Sequence, residues 1–372
     1  MKPSRDEIFL KKCLSLANNG LGLVSPNPMV GAVVVKGNHV VGQGWHRAYG
    51  LAHAEVEALK MAGSKAKNAT LYVNLEPCCH YGKTPPCTDA IIKAGIKKVV
   101  FCTIDPNPFV NGKSVGMLRN HGIEVRHGLL ERQAIDLNKA YFTYMKKKRP
   151  FIALKWAMSI DGKIADASGN SKWITCDDAR AFNRNLRFEY DAIMTGVETI
   201  IKDNPELNYS VPYGGRKSLL KNKRYSKIIL DTSLRCPRDA KIFLETSKKV
   251  IVFTGRGTRS LQTEYPENVE FVEVDKNSAG FLDIQQVIQN LYERGIGKLF
   301  VEGGTKVLTS FYDCELFDKI YVFIGSKIIG GDAVYPPLKG KTIPLGMSGL
   351  ELKEIIRFSN DILIVLEKCS QE

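Results

Sequence analysis

The 372-residue chain is 44% hydrophobic and 25% charged, the balance of a globular protein, and its length suits two domains of roughly 100–200 residues better than one. Its net charge of +14 favours an anionic partner. The lysines and arginines are scattered, however, with short runs only at Lys146–Arg149 and Lys221–Arg224, which argues against a dedicated nucleic-acid binder. No stretch approaches the ~18 apolar residues of a membrane span. The N-terminus reads as a short amphipathic helix, not a signal peptide. Nine cysteines, an odd number with no disulfide-like framework, fit a reducing cytoplasm, where clustered cysteines point to metal or catalysis first.

In chain order, "MVGAVVVKG" (29–37) reads as a buried strand, and "HVVGQGWH" (39–46) as its hairpin partner. A helix follows over 53–62 and stops at Gly63. Strands are expected at 69–77, 97–105 and in "IEVRHG", with helices at 87–95, 113–121 and 131–147. The run "KKKRP" marks a boundary, giving domains 1–147 and 148–372. A new sheet then begins with the stretch 151–165. Strand–helix alternation resumes with helices at 177–189, 197–202, 282–294 and 305–315. The strands fall at 191–196, 226–232, 249–254, 269–274, 298–304 and 319–325, with a terminal pair around 351–367. The polar stretch 210–225 is expected to be a loop. Both halves read as α/β.

"AHAEVEALKMAG" (52–63) and "EPCCHYGKTPPC" (76–87) carry the first candidate chemistry. A catalytic zinc takes three protein ligands and keeps one position for water. His53 and two cysteines can supply the three. Glu55 lies two residues after His53, about 200° around a helix, so both face one pocket only near a helix N-terminus. A His-x-Glu motif followed by Pro-Cys and a further Cys marks the zinc deaminases, with the glutamate as acid/base and not a ligand. His53-Ala-Glu55 and Pro77-Cys78 fit, but eight residues separate Cys78 from Cys87 where two are usual. Cys79 and His80 therefore remain competing ligands on spacing alone.

Together with "PNPMVG" (26–31), "GWHRAYGLAHAE" (44–55) and "DPNP" (105–108), this long-gap motif resembles the bifunctional riboflavin-biosynthesis deaminase–reductase family. The resemblance implies a cytidine-deaminase-like α/β/α domain in which His53, Cys78 and Cys87 bind zinc and Glu55 is the proton shuttle. It also implies that Asn27, His46, His80 and Lys83 surround the substrate, 2,5-diamino-6-(5-phosphoribosylamino)pyrimidinone. Zinc lowers the pKa of a bound water to near ~7, and a positioned carboxylate can carry its proton to the ring and the leaving amine.

The second half has no G-x-G-x-x-G after its first strand, which argues against a Rossmann dehydrogenase. "FVEGGTKVLTSF" (300–311) is an apolar strand, two glycines and a helix, a geometry that admits phosphate at the helix N-terminus. With "LKWAMSIDGKIADASGNSKWIT" (154–175) and "DAIMTGVETIIKDNPEL" (191–207) it resembles the reductase domain of the same family, which is dihydrofolate-reductase-like. The resemblance implies NADPH binding by Ala157, Trp173, Thr199, Asp203 and the loop Gly304, Thr305, Lys306, Val307, Leu308, Thr309 and Ser310. It implies substrate contacts from Ser171, Arg187, Leu207 and Glu302, and reduction of the ribosyl group to ribityl. At Ser210 the family often has an arginine; Arg216 or a loop lysine is the expected replacement for that phosphate contact.

The expected partners are the phosphoribosylated pyrimidine and a second copy of the chain, as dimer or tetramer, without nucleic acid or membrane. Two other readings compete. A tRNA deaminase with an accessory domain accounts for the zinc motif and the charge but not for the long cysteine gap. A one-activity protein, a binding or regulatory module with one site decayed, draws on Ser210 in the second site, while the complete His53/Glu55/Cys78/Cys87 set argues that the first site is live.

Overall fold

A computed structural model describes residues 3–82, 84–211, 217–258, 265–331, 335–340 and 349–369. The chain divides into two compact units, Met1–Arg149 with Arg216–Lys223, and Pro150–Gly215 with Arg224–Glu372.

The first unit opens with helix α1 (Arg5–Ala17), started by a capping box in which Ser4 and Glu7 exchange hydrogen bonds, a device worth about 1 kcal/mol. Strands β1 (Gly31–Lys36) and β2 (His39–Trp45) form the expected hairpin. Helix α2 (Ala54–Ala62), strand β3 (Thr70–Leu75), helix α3 (Cys87–Lys93), strand β4 (Lys98–Thr103), helix α4 (Lys113–Asn120) and strand β5 (Glu124–His127) follow. Helices α5 (Glu131–Leu137) and α6 (Lys139–Lys147) complete the unit. The sheet order is β2-β1-β3-β4-β5, with β3, β4 and β5 parallel.

Side-chain alternation along the strands builds two cores. Ala32, Val34, Leu71, Val73, Val99 and Phe101 pack with Ala54, Ala58 and Leu59 of α2 and Ile91 of α3. Val33, Val35, Tyr72, Val100 and Cys102 pack on the other face with Leu10 and Cys13 of α1 and Ala134 of α5. The unit is thus an α/β/α sandwich. Helix α2 lies flush on β2 because Gly42 and Gly44 lack side chains. A Cβ on Gly42 would stand 2.2 Å from the Ala58 carbonyl, and one on Gly44 2.5 Å from Cβ of Glu57.

Two expected elements differ in extent. The helix predicted over 131–147 breaks at Asn138, whose side chain accepts from the Met29 N–H at 2.7 Å and donates to the Met29 carbonyl at 2.9 Å. That long-range pair outweighs local helical periodicity. The strand entering the second unit, β6 (Phe151–Ser159), ends short of residue 165. There Gly162, at φ +79°, closes a turn by donating its N–H to the Ser159 carbonyl.

The second unit continues with α7 (Asp177–Phe188), β7 (Ala192–Gly196), α8 (Val197–Asp203), β8 (Ser226–Leu230), β9 (Lys249–Gly255) and β10 (Val269–Val274). Then come α9 (Ile284–Glu293), β11 (Lys298–Glu302), α10 (Thr305–Asp313), β12 (Lys319–Gly325), β13 (Leu350–Phe358) and β14 (Asp361–Lys368). Within the expected loop 210–225, residues Lys217–Asn222, which belong to the first unit, form a short 3-10 turn. The sheet order is β10-β9-β8-β7-β11-β6-β12-β14-β13. The first seven strands in that order are parallel, and β14 and β13 close the edge as an antiparallel hairpin. Ile152, Leu154, Ile228 and Val301 face α9 and α10, while Ala153, Ile193, Ile229 and Phe300 face α7 and α8. Strand β11 slots between β6 and β7. The carboxyl ends of these three neighbours lie side by side, where ligands of open parallel sheets bind.

Candidate active sites

His53 is the N-cap residue of α2, with extended backbone at φ −73° and ψ 161°. That extended turn frees its side chain from the helix radial pattern, so His53 and Glu55 line one cavity despite their spacing. Cys78 lies beyond the end of β3 and Cys87 is the first residue of α3. The ligand atoms of His53, Cys78 and Cys87 lie within 4.8 Å of one another. Nδ1 of His53 is 3.2 Å from Sγ of Cys87 and 3.4 Å from Sγ of Cys78. Donors held 2.0–2.3 Å from a tetrahedral zinc stand roughly 3.6 Å apart, so the set fits that ion.

The surroundings favour a cation. The N–H of Cys87 donates to Sγ of Cys78 at 3.3 Å. Cys78 is held down, chiefly by the hydrogen bond from Cys87 and also by His53, while the same bond to Cys78, with burial, pushes Cys87 up. With Nδ1 turned to the sulfurs, Nε2 of His53 donates to the Thr84 hydroxyl at 3.3 Å, the outer partner that fixes a metal-binding imidazole. Glu55 is buried, and burial pushes its carboxyl up to about 7. Cys79 donates to the Phe109 carbonyl at 3.7 Å and stands outside the three-donor group.

Asn27, His46 and His80 line the same cavity. Burial lowers His46 to about 4. The neutral ring is oriented by the Ala52 carbonyl at Nδ1, 3.1 Å away, so Nε2 accepts from the Asn27 amide at 3.2 Å. Among the described residues Nδ1 of His80 is buried without a hydrogen-bond partner, and the ring lies 5.9 Å from that of Phe109. Lys83 lies outside the described residues, as does Arg216. Sequence reasoning missed Thr84, Asp105, Asn107 and Tyr141, all of which line the cavity. For Asp105 and Asn107 the signal was in "DPNP" (105–108), whose two polar residues alternate with prolines. Burial raises Asp105 to about 6, and it accepts from the Tyr141 hydroxyl at 2.8 Å.

In the second unit the expected residues gather on neighbouring elements. Ala157 is on β6, Glu302 ends β11, Gly304 caps α10, and Thr199 and Asp203 are on α8. Ser171 and Trp173 follow β6 in a loop, where the Arg180 guanidinium lies 4.3 Å from the Trp173 ring. Ser210 donates its N–H to the Arg184 carbonyl at 2.9 Å. Leu207 is buried at φ +54°, its carbonyl accepting from Tyr225.

Two expected contacts are differently engaged. The Arg187 fork is occupied by Glu302, Nε to Oε1 at 2.8 Å and Nη2 to Oε2 at 2.9 Å, and Nη1 donates to the Asn208 carbonyl. Lys155 stands 4.0 Å from the same carboxylate. Within 304–310, Leu308 has its side chain in the core and its N–H on the Gly304 carbonyl. The unbonded N–H groups of a helix start belong to its first residues, here Thr305, Lys306 and Val307.

A helix-capping histidine, a buried glutamate and two facing cysteines on a five-stranded sheet are the marks of a zinc-dependent pyrimidine deaminase, joined here to a parallel-sheet unit of reductase type. Residues 3–103 match the model of the cytidine and deoxycytidylate deaminase zinc-binding region, and residues 150–364 that of the RibD C-terminal domain. The riboflavin biosynthesis protein RibD of Aquifex aeolicus is 42% identical over 98% of both chains. That of Escherichia coli is 37% identical over 88% of this chain and 90% of its own. A deaminase/reductase crystal structure from Thermotoga maritima superposes with a TM-score of 0.85 at 39% identity, covering 98% of this chain and 99% of its own. RibD from Acinetobacter baumannii gives 0.87 at 34% identity, covering 97% and 98%. The chain belongs to the RibD family, the bifunctional deaminase–reductases of riboflavin biosynthesis. Among the described residues no helix is long and apolar enough to cross a membrane.

Proposed function

We propose that residues 1–147 deaminate 2,5-diamino-6-(5-phosphoribosylamino)pyrimidin-4(3H)-one and that residues 148–372 reduce the product's ribosyl group with NADPH, giving 5-amino-6-(5-phosphoribitylamino)uracil. The observation that carries the first step is the grouping of His53, Cys78 and Cys87 beside buried Glu55 in one cavity. His53, Cys78 and Cys87 would hold zinc, which supplies a Lewis acid able to activate water at neutral pH. A cation at these donors lowers the Glu55 carboxyl from the value burial alone imposes, making it a base for the attacking water. Glu55 takes that proton and delivers it to the ring nitrogen; it then takes the second proton, from the hydroxyl added to the ring carbon, and passes it to the amine, which departs as ammonia as the carbonyl forms. Asn27, His46, His80 and Lys83 orient the ring and its phosphoribosyl group.

In the second unit NADPH supplies the hydride, and the protein positions it against the ring-opened sugar. The N-terminal N–H groups of α10 suit a cofactor phosphate, with Ala157, Trp173, Thr199, Asp203 and residues 304–310 as its surroundings. Ser171, Arg187, Leu207, Ser210 and Glu302 surround the substrate. Since Glu302 fills the Arg187 fork, this arginine acts on substrate phosphate only by exchanging partners. The enzyme works as a cytoplasmic homo-oligomer. The test is incubation with the diaminopyrimidine and NADPH, following ammonia and NADPH absorbance together, with metal analysis of the same sample. NADPH oxidation without prior ammonia release would refute the order of steps.

A further inference from the structure

We propose that Glu76 is a positioning residue for the deamination site, its carboxylate fixing the segment 105–114 so that Asp105 and Asn107 stand in the cavity. This inference rests on the deaminase reading of the first unit.

Glu76 is 3% exposed and follows the end of β3, two residues before Cys78. A buried carboxylate without compensation is costly. No ion pair to Glu76 is found among the described residues; four hydrogen bonds hold it instead. Oε2 accepts from the N–H of Asp105 at 3.1 Å and of Gly112 at 2.8 Å. Oε1 accepts from the N–H of Ser114 at 3.1 Å and from its hydroxyl at 2.6 Å. All four donors come from one segment, the connection from β4 into α4. The Glu76 N–H also donates to Thr103 at the end of β4.

The clamped segment reaches the cavity by a chain of short contacts. Asp105 Oδ1 accepts from the Asn107 N–H and the Tyr141 hydroxyl, and Asn107 Oδ1 accepts from the Phe109 N–H. Asp105, Asn107 and Tyr141 line the cavity, and Phe109 packs near the ring of His80. Glu76 therefore ties the strand end that leads into the metal-ligand segment to the loop that supplies Asp105 and Asn107 to the cavity lining. Three of the four donors are backbone N–H groups, which cannot accept, and they face carboxylate oxygens. Glutamine would turn an NH2 group against at least one of those N–H groups.

The test is Glu76→Gln in the full-length enzyme, with Ser114→Ala as a milder variant that removes only the 2.6 Å bond. Three quantities are read: deamination KM and kcat, zinc per chain, and reduction of the already deaminated substrate. Glu76→Gln is expected to raise KM for deamination about tenfold or more, the factor set by about 1.4 kcal/mol of lost positioning. The change in kcat stays within about threefold, as for lost uniform binding. Ser114→Ala moves KM the same way by a smaller factor. Zinc content and the reductase step stay at wild-type levels. An unchanged KM in both variants overturns the proposal. So does a KM rise matched by zinc loss in both, which makes Glu76 a support of the ligand segment alone. If Glu76→Gln does not fold, the Ser114→Ala result decides. A wild-type enzyme that releases no ammonia refutes the deaminase reading itself, an outcome distinct from these.

Discussion

Replacing Arg187 by methionine isolates one buried charge, the carboxylate of Glu302. In the wild type its two oxygens take both arms of the guanidinium at 2.8 and 2.9 Å, Asn183 donates at 3.0 Å, and Lys155 stands at 4.0 Å. The paired side chains are only 13% and 12% exposed, so solvent screens them little. Burial alone would raise the carboxyl, but the charges of Arg187 and Lys155 outweigh it and hold Glu302 down, from the ordinary 4.5 to about 2. At 1.36 kcal/mol per pH unit, that drop is worth about 3 kcal/mol to the folded second unit. Because the folded value lies below the unfolded one, this contribution is complete above pH 4.5 and is lost as pH falls through about 2. Arg187→Met leaves the carboxylate buried with weaker partners. The expected cost at neutral pH is about 3 kcal/mol, at the low end for a broken buried pair because Lys155 and Asn183 remain. A chain of two units need not unfold in one step. The measurement is therefore hydrogen exchange in denaturant on peptides covering β6 and β11. The gap between wild type and variant should narrow by about 2 kcal/mol at around pH 3, where the wild type has itself lost most of the contribution. A gap under about 1 kcal/mol at neutral pH, or one that does not change on acidification, would refute the reasoning.

Other perturbations separate the two units and the parts of the first site. Glu55→Gln should cut ammonia release by about 10²–10⁴, the range for a lost proton-transfer group, while zinc content and reduction of deaminated substrate stay unchanged; full ammonia release would remove Glu55 from its role. His53→Ala or Cys87→Ala should lower bound zinc from about one per chain, and a chelator should stop deamination but not reduction; metal analysis beside both assays checks this. Gly44→Val places a side chain where a Cβ already stands 2.5 Å from Glu57. It should destabilise the first unit by about 1–3 kcal/mol and weaken zinc retention, because the displaced helix is capped by His53; a melting curve with metal analysis reads both.

The elements were legible because their signals are local. Short continuous apolar runs such as "GAVVVK" and "KLFVE" gave strands, and stops such as Gly63 gave helix ends. The helix reading over 131–147 erred because a contact from far along the chain intervened. Asn138 breaks a continuous helical pattern because Met29, 109 residues away, takes both ends of its amide. The turn at Gly162 was visible as "SIDGK", but the apolar pair Ile164 and Ala165 beyond it concealed that the strand stops before it.

The candidate metal donors were legible for a different reason. Zinc chemistry admits few ligand types, so His53, Cys78 and Cys87 stand out by residue kind even across a gap of unusual length. The groups around them have no such restriction. Glu76 reads as part of a motif, yet its role depends on donors 29, 36 and 38 residues downstream. Arg187 reads as a helix-surface arginine or a phosphate ligand until Glu302, 115 residues later, is seen to fill its fork. Glu76 is buried and the Glu302 side chain is only 12% exposed, and both are satisfied by partners that no local pattern specifies. Burial makes such pairings expensive to lose, so the interactions least visible in the sequence are those whose removal should be most measurable.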